Sequence, residues 1–574
     1  MSAAEKLLVV LGCSATKRQV AGQLPAVSLY DGPAFRVLRG YLRDYRWPAR
    51  LSVAVLSARY GIIGGLSHIS TYDQRMTATR AEELASDVNR VLSRWRTGHS
   101  QIDLILGRDY LRSIDQTQLG EGAVRVRVVE GTIGVKLNAL HGLLRSLGRD
   151  PREAPAELSN PGRPLYFLPD WDDFLDVGYD FQTDTFSAND RASRVEEHSI
   201  ALMRPYQLCD GVLVSLAQHL GTKGLLKRVG FLDKESLSPT PVHKHFKLLP
   251  SQWAFGDCGA FSYVAENEPT ISVEQAVALY GLYEFDLGAS VDHIPVTEVV
   301  TEGGKRTLTE VERQGRMRLT RDNAERFLTL HRERGAKFLP VGVIQGLVAE
   351  DYARQLGEYA EMGYRYVALG GLVPRSDADI RAVVDAVAAA RNKLRRPPWI
   401  HLFGVFRPGL QSHFRAIGIG SFDSATYFRK AWLRPDQNYL GVDGNWYAAI
   451  RVPPLSDPRT RKRMERSGTT EERLSQLEAT ALRSLRAYDA GMLDIDATVA
   501  AVMEYDRLLS RAEAEHAGLA DRYRRTLEAR AWRQCPCPVC RQLGIEVVIF
   551  RGINRNKRRG AHNTLQLFSQ VQCR

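Results

Sequence analysis

Eight short apolar segments, nearly each followed by helical sequence, run from position 164 to 423 and limit the folds open to this chain. They occupy positions 165–168, 211–216, 253–256, 285–291, 339–344, 366–369, 400–405 and 417–422. Strand and helix in strict alternation predict a parallel sheet, and eight repeats are the number a closed (β/α)8 TIM barrel requires. An open doubly wound sheet is the competing reading of the same pattern. The helix before the seventh strand is the most legible. Ser376 and Asp379 form a capping-box-like start, and Ile380, Val383, Val384 and Val387 make one inward stripe.

In such barrels chemistry gathers where strands give way to loops. The residues that follow these apolar segments are polar: Asp170, Asp257, Asp292 with His293, Gln345 with Gly346, Gly370 with Gly371, and Asp423. A single aspartate there is usually a turn or cap residue. Several carboxylates converging on one mouth supply two roles, a nucleophile that forms a covalent intermediate and a second carboxyl that shuttles protons.

Upstream, the runs at 7–11, 51–56, 102–106 and 124–129 alternate with helical patterns, which predicts a small α/β domain over 1–150 with a parallel sheet. Thr79 is the expected cap of a helix whose Leu84, Val88, Val91, Leu92 and Trp95 share a face. A proline-punctuated stretch, 151–163, reads as a linker to the region 164–574. The N-terminal MSAAEKLLVVLGCS lacks a basic start and a cleavage site, and no run has the length of a membrane span, so a cytoplasmic protein without membrane contact is expected. A net charge of +12 favours polyanionic partners by counterion release.

Of seven cysteines, Cys535, Cys537 and Cys540 crowd into CPCPVC, with His562 downstream. That set suits a tetrahedral Cys3His zinc site inside a C-terminal subdomain, 530–574. Four protein ligands leave no open position, so the Zn2+ is expected to be structural. A zinc hydrolase conflicts with such a filled site.

Taken together, DCGAF from Asp257, DLGASVDH from Asp286, VIQG ending at Gly346, ALGGL from Ala368, HLFGVF from His401, GSFDS around Asp423 and CxCxxC with His562 resemble, in order and spacing, the tRNA-guanine transglycosylase superfamily. FLPDWDD near Asp170, DGVLVS from Asp210 and the closing NRNKRRGAHN are most similar to its DpdA branch, the DNA 7-deazaguanine transglycosylases. The resemblance implies that Asp423 is the nucleophile toward a guanosine nucleotide and Asp257 the general acid/base. It further implies that Asp292, Gln345, Gly370, Gly371 and Leu372 read the base. The expected partners are nucleic acid, DNA ahead of tRNA, a free 7-deazaguanine base (7-cyano-7-deazaguanine) as second substrate, and other DNA-modification proteins. After the nucleophile the tRNA enzymes usually run Val-x-Pro-Thr-Arg, whereas this chain reads Ser424-Ala-Thr-Tyr-Phe-Arg429, which weakens a tRNA assignment. A queuosine- or archaeosine-type tRNA enzyme and a catalytically inactive nucleic-acid-binding barrel are the alternative readings.

Two basic runs are expected to hold phosphates: Arg461, Lys462 and Arg463 in one, and Arg555, Lys557, Arg558 and Arg559 beside His562 in the other. The N-terminal unit resembles an uncharacterised bacterial domain family with a CS-x-x-K-like start, Cys13, Ser14 and Lys17, and an SA-x-YG motif, Ser57 to Gly61. Cys13, Ser14 and Arg59, on loops after strands, line either a nucleotide or nucleic-acid site or a purely structural turn.

Overall fold

The computed structural model describes residues 6–20, 22–159, 161–171, 173–217, 236–509 and 513–573. Asp172 of FLPDWDD lies outside them. The chain forms two compact units, Met1–Ser159 with Leu213–His245 and Trp253–Phe403, and Asn160–Val212 with Phe246–Gln252 and Gly404–Arg574.

The N-terminal sheet has five strands, β1 (Leu7–Gly12), β2 (Leu51–Ser57), β3 (Gly61–Gly64), β4 (Gln101–Ile105) and β5 (Arg125–Val128), in the order β3-β2-β1-β4-β5. Alternation along the central strands buries both faces. Leu7, Val9 and Leu11 pack with Phe35, Leu38, Leu140 and Leu144, while Leu8 and Val10 pack with Ala81, Val88, Leu92 and Trp95. Helices thus cover both sides, the doubly wound arrangement. The sheet differs from the all-parallel expectation at one edge, because β3 turns back antiparallel to β2. Ser57 Oγ accepts the backbone N–H groups of Arg59 and Tyr60, and Gly61 at φ 69° reverses the chain. The helix Ala78–Arg96 is capped by Thr77, whose side chain accepts from Arg80 N; the expected cap, Thr79, lies inside it.

Eight strands close a barrel in sequence order: β6 (Leu165–Pro169), β7 (Gly211–Ser215), β8 (Trp253–Asp257), β9 (Leu287–Ala289), β10 (Leu339–Ile344), β11 (Tyr366–Leu369), β12 (Trp399–Leu402) and β13 (Ser421–Asp423). β8 to β12 pair in parallel as successive neighbours, and β13 pairs in parallel with β6. Every barrel segment expected as a strand overlaps one, with ends that agree or shift by one to four residues. Asp257 and Asp423 are the last residues of their strands. Packing explains why the barrel tolerates glycine: a Cβ at Gly256 or Gly288 would come 2.2 or 2.4 Å from the Tyr280 ring. That ring, on the helix Val273–Leu282, packs against the backbone of both strands. The helix Asp377–Arg391 starts at Ser376, which accepts from Asp379 N, and buries Ile380, Val383, Val384 and Val387 as expected. Among the described residues no helix is long and apolar enough to cross a membrane.

Candidate active site

β9 runs out into Asp292, which is buried at 3% exposure. The Cys258 thiol donates to its Oδ1 at 2.8 Å, and Gln345 Nε2 donates to its Oδ2 at 2.6 Å. Burial pushes the Asp292 carboxyl above its ordinary range, against the opposing pull of these two donors. Burial, then the charges of Asp292 and Asp257, push the Cys258 thiol far up, so it keeps its proton and acts as a donor. The Tyr263 hydroxyl stands 3.0 Å from Cys258 Sγ and 2.9 Å from the Asp292 carbonyl, joining the loop after β8 to that after β9.

Asp257 belongs to the same cluster, its carboxylate lying with Cys258 Sγ and the Asp292 carboxylate inside 4.8 Å. Its Oδ2 accepts from Gly259 N at 3.0 Å. Gly259 has φ 86°, and a Cβ there would stand 2.2 Å from Ser215 Oγ, so the turn that aims Asp257 requires glycine. On the far side, β11 ends in Gly370 and Gly371, whose added Cβ atoms would lie 2.1 Å from Gln345 Nε2 and 2.7 Å from Gln345 Oε1. The amide of Gln345 therefore rests on bare backbone. Gln345 Oε1 is buried and has no hydrogen-bond partner among the described residues. Leu372 is fully buried beside this turn in sequence. One compact unit thus brings Asp257, Asp292, Gln345, Gly370 and Gly371 together. The lining combines a donor-held carboxyl, a second carboxylate and an unsatisfied amide oxygen, which suits a planar ligand with N–H groups on its edge. Sequence reasoning missed Cys258, Tyr263 and Phe261, the last 56% exposed four residues after Asp257.

Asp423 stands in the other compact unit, buried at 6% exposure. Its Oδ1 accepts from Gly404 N at 2.8 Å, which fixes the carboxylate's orientation. Phe422 stacks on Phe406 with centroids 5.5 Å apart, and the Tyr166 hydroxyl donates to the Ser424 carbonyl at 2.8 Å. Asp170, Asp173 and His198 form a second buried group. His198 Nδ1 accepts from Ile200 N at 3.3 Å, and Nε2 lies 3.8 Å from Asp170 Oδ1, beyond hydrogen-bond reach. His293, expected beside Asp292, is taken up by structure: Nε2 lies 3.0 Å from the Glu266 carbonyl, and burial lowers its pKa to about 4.

Cys535, Cys537, Cys540 and His562 converge as expected, all buried. Zn–S and Zn–N bonds of about 2.3 and 2.0–2.1 Å in a tetrahedron separate sulfur from nitrogen by about 3.6 Å. The three Sγ to Nδ1 distances are 3.5, 3.6 and 3.4 Å. His562 Nε2 donates to the Leu440 carbonyl at 2.7 Å, which leaves Nδ1 as the ligand atom, and Tyr439 stacks on the ring at 4.2 Å. These residues fit a zinc ion with no coordination position left over.

The basic run beside His562 departs from expectation. Arg555, Arg558 and Arg559 are fully buried on the helix Gly552–Cys573. Arg555 pairs with Asp184 and Glu546. Arg558 donates to the Asp176 carbonyl and Asn554, and Arg559 to the carbonyls of Ala431, Val547 and Ile549. Burial lowers the Arg558 and Arg559 pKa to about 10 and about 9. These three hold the fold and offer no surface to phosphate. Lys557 is half-buried, its Nζ 3.3 Å from the Phe174 carbonyl. Arg461, Lys462 and Arg463 are exposed on the helix Pro458–Ser467. Two cations unanticipated from sequence follow the Asp423 strand: Arg429 stacks on exposed Trp171 at 4.8 Å and Lys430 on Trp446 at 4.3 Å.

Comparison with known proteins gives two findings. Residues 8–142 match a family described as of unknown function, DUF6884. Over 410 residues, 71% of this chain and 96% of the relative, the sequence is 32% identical to a DNA-guanine transglycosylase of Salmonella montevideo. Shorter matches are to tRNA-guanine(15) transglycosylases, 32% identical over 20% of this chain and 20% of the protein from Pyrococcus abyssi, and 30% identical over 29% of this chain and 29% of the protein from Thermococcus onnurineus.

Proposed function

The chain belongs to the guanine transglycosylase family, and from that membership we propose that it exchanges guanine in DNA for a 7-deazaguanine through a covalent bond between Asp423 and the sugar. The enzyme is a pentosyltransferase: a base leaves C1′ and another takes its place. In the proposed cycle an Asp423 carboxylate oxygen attacks C1′, the bond from C1′ to guanine N9 breaks, and Asp257 donates a proton to the departing base. The incoming base, 7-cyano-7-deazaguanine, then gives its N9 proton to Asp257 and attacks C1′, which releases Asp423. Two inversions return the original configuration, as in retaining glycoside chemistry.

The observation that carries the reading is the Asp257, Asp292 and Gln345 cluster. Asp292 and the unsatisfied Gln345 Oε1 offer acceptors for the N–H groups of a guanine edge, Gly370 and Gly371 leave the room that the Gln345 amide occupies, and Leu372, buried next to them in sequence, is assigned to the apolar side of the base. Exposed Phe261 suits stacking on the base. A base inside duplex DNA must be swung out to reach such a pocket. Phosphates fall to Arg461, Lys462 and Arg463 and to Arg429 and Lys430, whose aromatic platforms match unstacked nucleotides. Zinc at Cys535, Cys537, Cys540 and His562 would stabilise the C-terminal fold and supply no chemistry at the reacting carbon.

The test is nucleoside mass spectrometry of DNA and tRNA from cells that express the chain and make 7-deazaguanines. The expected result is the modified nucleoside in DNA with wild type and none with Asp423→Ala. Modification confined to tRNA would transfer the same chemistry to the alternative substrate. Its absence from both would overturn the reading.

A further inference from the structure

The N-terminal sheet changes winding direction at β1, which lies between β2 and β4. In doubly wound sheets ligands bind outside the carboxyl ends of strands at such a switch point. Three strand ends converge there through side chains. Cys13, after β1, meets Tyr110, after β4, with Sγ and Oη 3.1 Å apart. Ser57, the last residue of β2, lies 2.8 Å from the Tyr72 hydroxyl, which is 2.8 Å from that of Tyr30. The Cys13 thiol and the Tyr72 and Tyr110 side chains are partly exposed there, above the fully buried Ser57 and Tyr30.

Charge indicates what that surface lacks. Lys17 Nζ stands 4.2 Å over the Tyr72 ring, and among the described residues it donates to the Ala15 carbonyl at 3.5 Å. The Tyr72 ring meets that of Tyr60 edge-on at 5.4 Å, and Arg59 lies over Tyr60 at 5.7 Å. Neither cation has a carboxylate partner among the described residues, while nearby Asp31 is already taken by Arg36 and Arg39. Two unneutralised cations on tyrosine rings, beside hydroxyl donors, complement a ligand that joins an oxyanion to a planar ring.

We propose that the switch point of the N-terminal domain is a binding site for a nucleoside phosphate, with Lys17 and Arg59 on the phosphate and the Tyr60 and Tyr72 rings against the base. The phosphate belongs either to a free nucleotide or to a nucleic-acid strand. The site is separate from the base-exchange chemistry and stands or falls independently of it.

Cys13 supplies the readout, since it is the one partly exposed thiol among the cysteines whose burial is described. Iodoacetamide alkylation of the full-length protein, followed by peptide mass mapping, measures its access. Deoxyguanosine 5′-monophosphate at a few times its Kd is expected to slow Cys13 alkylation about fivefold. Protection by a short single-stranded deoxyoligonucleotide alone would assign the same site to a polynucleotide. Lys17→Ala, at a half-exposed position, is expected to abolish protection with an unchanged melting temperature, and Lys17→Arg to restore it. The proposal is overturned if neither probe slows alkylation or if Lys17→Ala is protected like wild type.

Discussion

Gln345 donates one N–H to Asp292 Oδ2 at 2.6 Å and leaves its own Oε1 buried without a partner. One amide thus orients a carboxyl and presents an unused acceptor in the same place. Its position depends on Gly370, because a Cβ there would stand 2.1 Å from Gln345 Nε2. Gly370→Ala is expected to displace the amide and raise the KM for the incoming base by roughly 10- to 100-fold, the value of about 1.5–3 kcal/mol for a hydrogen bond to a charged group. Steady-state exchange of labelled guanine measures it. An unchanged KM would remove Gln345 from base recognition.

Asp292 also makes a pH signature. Its carboxyl pKa is raised in the folded protein, chiefly by burial, above the ordinary value of 3.8. The stability it contributes is complete below that value and declines as pH rises through the folded pKa, because the buried group must then ionise. Asp292→Asn cannot ionise. Melting curves from pH 4 upward should therefore show the variant gaining on wild type as pH rises, and a constant difference would contradict the assignment of cause.

Metal removal should act on the fold before the chemistry. Purified protein is expected to carry one zinc at Cys535, Cys537, Cys540 and His562, and Cys540→Ala to carry none and melt at lower temperature. Elemental analysis beside calorimetry separates this from a catalytic metal, whose loss would abolish exchange at unchanged melting temperature.

Arg559 and Arg461 should behave in opposite ways. Arg559→Ala deletes a buried guanidinium that serves three backbone carbonyls, at a cost of about 3 kcal/mol in stability. The salt dependence of DNA binding should stay as it is. Arg461→Ala, on an exposed helix, should leave stability unchanged and reduce the salt slope by about 1. Fluorescence anisotropy across a salt series distinguishes them.

The barrel was legible because apolar periodicity reports burial directly, and the strand-end residues Asp257, Asp292, Gln345 and Asp423 follow from it. The basic run was misread because arginines are ordinarily solvated. Yet 555, 558, 559 and 562 fall at i, i+3, i+4 and i+7, the spacing of one helical face, and His562 marks that face as inward. The antiparallel edge at 61–64 escaped notice because a four-residue, glycine-bounded strand has no period to detect. The bond from Cys258 to Asp292 joins loops of different strands, which no local pattern encodes.

The helix Gly552–Cys573 carries His562, the buried arginines and Asn563, and Asn563 bonds the carbonyls of Tyr427 and Asn438. Arg559 reaches the carbonyl of Ala431 in the helix directly behind Asp423. During translation the strand bearing Asp423 therefore leaves the ribosome long before the segment that braces it. A chain released before residue 552 would carry Asp423 and the helix bearing Ala431 without the segment that braces that helix.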